Sequence, residues 1–105
     1  MNWYAVRSVY HFGTKKNGKN IFEERIVCFE ASDFEEANSK GVDESKIYAE
    51  ENGFDVYSEQ LTYKQDGESL IDGYELWSVL YESDKPLEKF YVDLYKTYEY
   101  DPESD

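Results

Sequence analysis

The chain has little cysteine, histidine, methionine or proline: one Cys, one Met, one His and two Pro in 105 residues. A lone Cys28 excludes an internal disulfide framework, and Cys28 with His11 cannot make up a zinc-finger ligand set. No apolar run approaches the roughly 18 residues that a membrane-spanning helix needs. The opening Met1-Asn2-Trp3-Tyr4-Ala5-Val6-Arg7 has neither a basic n-region nor a long apolar stretch. It does not read as a signal peptide, and the default address is the cytoplasm. Gly-x-Gly-x-x-Gly and Walker patterns are missing, and no serine sits in a Gly-x-Ser-x-Gly elbow. No cofactor is therefore expected.

Basic residues are scarce as well. Lys and Arg number 11 against 24 Asp and Glu, a formal charge of −13. The imbalance is local. Residues 1–31 hold three acids and five bases, whereas residues 32–105 hold 21 acids and six bases. Such a field repels nucleic acid phosphates and anionic membrane surfaces, because binding them requires Lys and Arg to displace counterions. The same field attracts basic proteins and speeds their docking. Solubility alone is the bland account of the acidity.

Aromatic residues are abundant, at 18%, with 40% hydrophobic residues overall. That composition argues against disorder. The length fits one domain, placed at residues 1–100, followed by an acidic flexible tail at 101–105.

Along the chain, residues 3–12 are rich in β-branched and aromatic types and read as a strand. Asn17-Gly18 marks a hairpin turn, and residues 21–31 return as a second strand. Val27, Phe29 and Ala31 share one face of it; Glu24, Ile26, Cys28 and Glu30 share the other. Ser32 and Glu35 have capping-box spacing, which predicts a helix over about 33–51. Phe34, Ala37, Gly41, Ser45 and Tyr48 fall on one helical face, small enough for close approach to a sheet. Gly41 also admits a break there, and Asn52-Gly53 is a stop signal. Residues 54–64 and 74–82 read as further strands, separated by the turn dipeptides Asp66-Gly67 and Asp72-Gly73. Residues 87–100 fit both periods, but Tyr, Phe, Val and Thr favour a strand. The predicted fold is α+β: an antiparallel sheet of about five strands with one helix packed on one face, in the order β-β-α-β-β-β. Trp77, Tyr81, Tyr91 and Tyr95 then lie on the second sheet face, where a partner or a twin subunit would cover them.

The catalytic signals are weak. A Cys28–His11 pair would need the two strands of the hairpin to align them, and a strand cysteine is ordinarily inert packing. Adjacent carboxylates such as Glu35-Glu36 and Glu50-Glu51 follow from composition and point in different directions. Asp66-Gly67-Glu68 with Asp72 lacks the EF-hand order. The expectation is a protein that is not an enzyme, with no metal site.

Asn2-Trp3-Tyr4-Ala5-Val6-Arg7, Phe22-Glu23-Glu24, Phe34-Glu35-Glu36-Ala37 and Gly73-Tyr74-Glu75-Leu76 resemble a bacterial family catalogued as domain of unknown function 4288. The likeness covers most of residues 2–95 and departs from the pattern at 95–105 and at Gly41. The resemblance implies a small α+β domain and brings no catalytic residues. In size and charge the chain is also similar in type to immunity proteins of bacterial toxin systems. The leading expectation is an acidic inhibitor of a basic, nuclease-like toxin. Its steering charges are Asp66, Glu68, Asp72 and Glu75, and its anchors are Trp77 and Tyr81. A homodimeric interaction module and a nucleic-acid charge mimic are the rival expectations.

Overall fold

The computed structural model describes residues 1–66 and 72–103. Two long strands, β1 (Asn2–Thr14) and β2 (Asn20–Ala31), form an antiparallel hairpin. Gly18 turns the corner at φ 86°, a conformation glycine adopts without Cβ strain. A helix, α1 (Phe34–Asn52), follows, and then two short strands, β3 (Asp55–Val56) and β4 (Leu61–Lys64). Both short strands pair antiparallel with β1 on the side away from β2. Tyr10 and His11 meet β3, and residues 4–7 meet β4.

The single strand expected over 54–64 is therefore broken in two. Opposite Ser8 and Val9 the chain runs through residues 57–60, two more than a continuous ladder would use. Tyr57 still donates its N–H to the Val9 carbonyl, at 2.9 Å, and Gln60 Nε2 donates to the Tyr57 carbonyl.

Helix α1 begins one residue later than the capping box implied. Asp33, not Ser32, is the N-cap; its carboxylate accepts from the Glu36 N–H at 2.8 Å. Ser32 Oγ instead donates to the Glu36 carboxylate, which lies below the ordinary carboxylate range because of that bond. At the far end Gly53 is left-handed, at φ 70°. The Phe54 and Gly53 N–H groups donate to the Ala49 and Glu50 carbonyls, closing the helix in a Schellman motif.

There is no break at Gly41. Ala37, Gly41, Ser45 and Ala49 are the buried stripe of α1. A Cβ on Gly41 would lie 2.4 Å from Val6 Cγ1, so only glycine admits this approach to the sheet. The core beneath is aromatic and small: Tyr4, Val6 and Tyr10 from β1 with Ala31, Ala37 and Ala49. Tyr10 meets Tyr48 edge-on at 5.0 Å, and Phe54 packs on Tyr48 at 5.8 Å.

The remaining two expected strands are absent among the described residues. Residues 74–82 form no ladder, and 87–96 are helical: α2 (Leu87–Tyr91) passes into a π-helical turn, Val92–Lys96. Pro86 opens α2, and its carbonyl accepts from Phe90. Where no sheet edge is at hand, the local helical spacing of Leu87, Phe90, Tyr91 and Leu94 wins over β propensity. The observed class is α+β with a four-stranded antiparallel sheet and two helices, only the first of which packs on the sheet. The radius of gyration is 16.3 Å, against about 13 Å for a compact chain of this length.

Candidate functional site

Burial divides the chain. Among the described residues every buried side chain lies between Tyr4 and Gln65, and none lies in 72–103. The second stretch, called the arm below, carries the predicted partner-binding residues.

Side chains rather than a ladder dock the arm's beginning on the sheet. Tyr63, on the sheet face away from α1, stacks on Trp77 with ring centroids 5.6 Å apart. Its hydroxyl donates to Glu75 at 2.5 Å, which pushes the Tyr63 phenol up to about 12. Gln65, almost fully buried, donates from Nε2 to the Leu76 carbonyl, while its own N–H donates to the Trp3 carbonyl at 2.9 Å. Glu75 and Trp77 thus come together, but as the attachment of the arm.

Tyr81 lies elsewhere. It packs on Phe90 of α2 at 5.6 Å and remains 54% exposed. Trp77, Tyr81, Tyr91 and Tyr95 do not share a sheet face, because neither of their segments is a strand. Asp66 and Asp72 are exposed, and Glu68 lies outside the described residues.

Tyr91 and Tyr95, expected on a sheet face open to a partner, are instead part of an exposed aromatic surface on α2 and the π-helical turn after it. Tyr91 stacks on Tyr95 at 5.2 Å, and Leu87, Tyr95 and Tyr98 are exposed. The helical spacing of Leu87, Tyr91, Tyr95 and Tyr98 was the signal. A groove of about 410 Å³, open to solvent, runs between Ser83 and Lys85 on one side and Phe90, Leu94 and Tyr98 on the other. Lys85 pairs with Asp93, and Lys96 with Glu99 at 3.7 Å. Glu82, Asp84 and Glu88 pair with no base among the described residues. The arm is an apolar, aromatic surface with unneutralised carboxylates around it.

A second polar cluster sits where α1 meets β2. Arg25 bonds Glu44 at 2.7 Å and lies over the Tyr48 ring at 3.8 Å. Tyr48 donates to Glu23 at 2.8 Å, and that bond raises its pKa. Each charge has a partner, so the cluster reads as a clamp between helix and hairpin. His11 and Cys28 are far apart: His11 pairs with Phe22 and Cys28 with Ala5, roughly 20 Å along the hairpin. Among the described residues no group of three His, Cys, Asp or Glu is placed to hold a metal ion. No helix among them is long and apolar enough to cross a membrane.

A family model described as domain of unknown function (DUF4288) matches residues 3–81. The chain belongs to this family. The DUF4288 match takes in the hairpin, α1, β3, β4 and the docked beginning of the arm. It ends before α2, so the exposed helical part of the arm lies outside it. No curated protein and no solved structure matches the chain.

Proposed function

We propose that this DUF4288 chain is a non-enzymatic acidic binding protein that captures a basic protein, with a nuclease-like bacterial toxin as the target class. It would act in the manner of an immunity protein, by occupying the basic surface that binds phosphates. The observation that carries this reading is the arm: aromatic side chains exposed among carboxylates that lack basic partners, on a chain of charge −13. Aromatic anchors ringed by charge are the usual anatomy of a tight interface. Acidic surroundings steer a basic partner onto them.

Tyr81 is the anchor this reading favours. Trp77 acts by fixing the start of the arm on Tyr63, with Glu75 held beside it. Asp66, Glu68 and Asp72 are steering charges. Capture from a lysate of the source organism at physiological salt, repeated at high salt, tests the proposal. One basic protein recovered at low salt and lost at high salt is the expected result. With that protein in hand, Tyr81→Ala should weaken binding by about 2 kcal/mol, and single reversals of Asp66 or Asp72 should mainly slow association. Recovery of the bait alone in both conditions would overturn the reading.

A further inference from the structure

The hairpin tip and the stretch after the π-helical turn carry opposite charge. Residues 14–20 hold three lysines and no acid; residues 99–105 hold four acids and no base. The tip is fixed by its own backbone. Lys15 donates its N–H to the Lys19 carbonyl at 2.8 Å and accepts from Gly18 at 2.9 Å, and the Asn17 side chain accepts from the Lys19 N–H. Of the three lysines only Lys15 is half-buried. Lys16 and Lys19 are exposed and pair with no acid among the described residues. The arm supplies the cover on Lys15. Lys15 Nζ donates to the Asp101 carbonyl at 2.6 Å and lies 5.6 Å from the centre of the Tyr100 ring. Beyond this contact the chain turns, with Asp101 Oδ1 accepting from the Glu103 N–H at 3.0 Å.

These contacts lie far from the arm's other attachment. Tyr63, on which Trp77 stacks, is opposite Ala5, nine residues along β1 from Thr14, or about 30 Å. The arm is thus fastened near both ends of the hairpin, while α2 and the π-helical turn between the two points pack on no other element among the described residues. The fastenings differ in kind. The first buries Gln65 and stacks two rings. The second is an exposed hydrogen bond from a cation and a cation–π contact, each weak in water. Charge gives the second its direction. Residues 32–105 hold 21 acids against six bases, so most of the chain repels an acidic segment and the lysine tip attracts it.

We infer that residues 100–103 are a salt-sensitive latch that straps the arm to the hairpin tip through Lys15. Shut, it holds the wall of the groove that Thr97 and Tyr98 form, and presents the aromatic surface in one orientation. A surface ordered beforehand loses less entropy on binding. Open, the arm beyond Trp77 hangs from its first fastening alone. Ionic strength moves this equilibrium in the free chain, with no partner bound.

Backbone nitrogen-15 relaxation of the free chain tests this, at low ionic strength and at about 1 M salt, where the screening length falls to about 3 Å. At low ionic strength the order parameters of residues 97–101 are expected above about 0.6, as in structured backbone, and at the high salt below it. Lys15→Met keeps the side-chain stem and removes the charge and the donor; it should bring these residues below about 0.6 at low ionic strength. Tyr100→Ala, which removes the ring alone, should lower them part of the way. Lys15→Arg, which keeps a cation over the ring, should match the wild type. Amides of residues 2–14 and 20–31 should keep their order throughout, which separates an open latch from a disturbed hairpin. The readout involves no basic partner, so the latch can fail while the binding reading stands, and the reverse. Wild-type order parameters below about 0.6 at low ionic strength overturn the inference. So does order in residues 97–101 that survives the high salt, or that survives Lys15→Met.

Discussion

Tyrosine has two fates in this chain. In the hairpin, Tyr4 and Tyr10 are 3% and 1% exposed beneath α1. In the arm, Tyr91 and Tyr95 are exposed on a helical segment that packs against no other element among the described residues, and Tyr98 is exposed in the turn after it. The residue type is the same, so the difference is context. On β1 alternation turns every second side chain toward a helix whose small residues let the backbones close up. On α2 the same rings have only each other. Hydrophobic content alone therefore does not define the core: it needs a second surface at the right distance. The hairpin with α1 supplies stability, and the arm supplies accessible aromatic area.

The largest effect should come from the hairpin. Tyr10→Ala removes the ring that joins Tyr48 and Phe54, and should cost about 3–5 kcal/mol in urea unfolding. Next comes the close approach at Gly41. Gly41→Ala should destabilise by about 1–3 kcal/mol through its clash with Val6, despite the better helix propensity of alanine. In a Val6→Ala background the same substitution should cost little or become favourable. Equal costs in both backgrounds would show that the approach is not tight. On the other side of the comparison, Tyr95→Ala should change global stability by less than about 0.5 kcal/mol. A loss as large as that from Gly41→Ala would mean that the arm belongs to the core.

What could be read from sequence follows the same division. The hairpin, its Asn17-Gly18 turn, the α1 span and its small-residue stripe were legible, because each is set by local period and turn chemistry. The N-cap was misplaced by one residue because Ser32 and Asp33 are both competent caps, and only geometry shows which carboxylate or hydroxyl reaches the Glu36 N–H. The break at residues 57–60 was not legible: strand pairing is non-local, and nothing in the segment announces the two extra residues. Residues 87–96 carried both periods, and the absence of a neighbouring strand decided between them. Of the site residues, Glu75 and Trp77 do come together, but through Tyr63 and Gln65, whose partners are distant in sequence.

The junction between the two regions gives the smallest and most specific effect. Tyr63 is held neutral by its bond to Glu75, with its phenol pushed up to about 12 from an ordinary 10. A folded-state value above the unfolded one means that the contribution is complete below about pH 10 and is lost as pH rises toward 12. Ionised Tyr63 would set two anions side by side and loosen the docked start of the arm. In NMR titration of the tyrosine rings, Tyr63 should therefore ionise well above the ordinary value of 10, and Glu75→Gln should bring it back toward that value. The Trp77 indole resonance should move with Tyr63 in the wild type, because the two rings are stacked, while amides of the hairpin stay put through the same range. If Tyr63 ionised near pH 10 in the wild type, the Glu75 bond would not hold in solution, and the arm would be attached by Gln65, the ring stack and the contacts of Lys15 with Tyr100 and the Asp101 carbonyl.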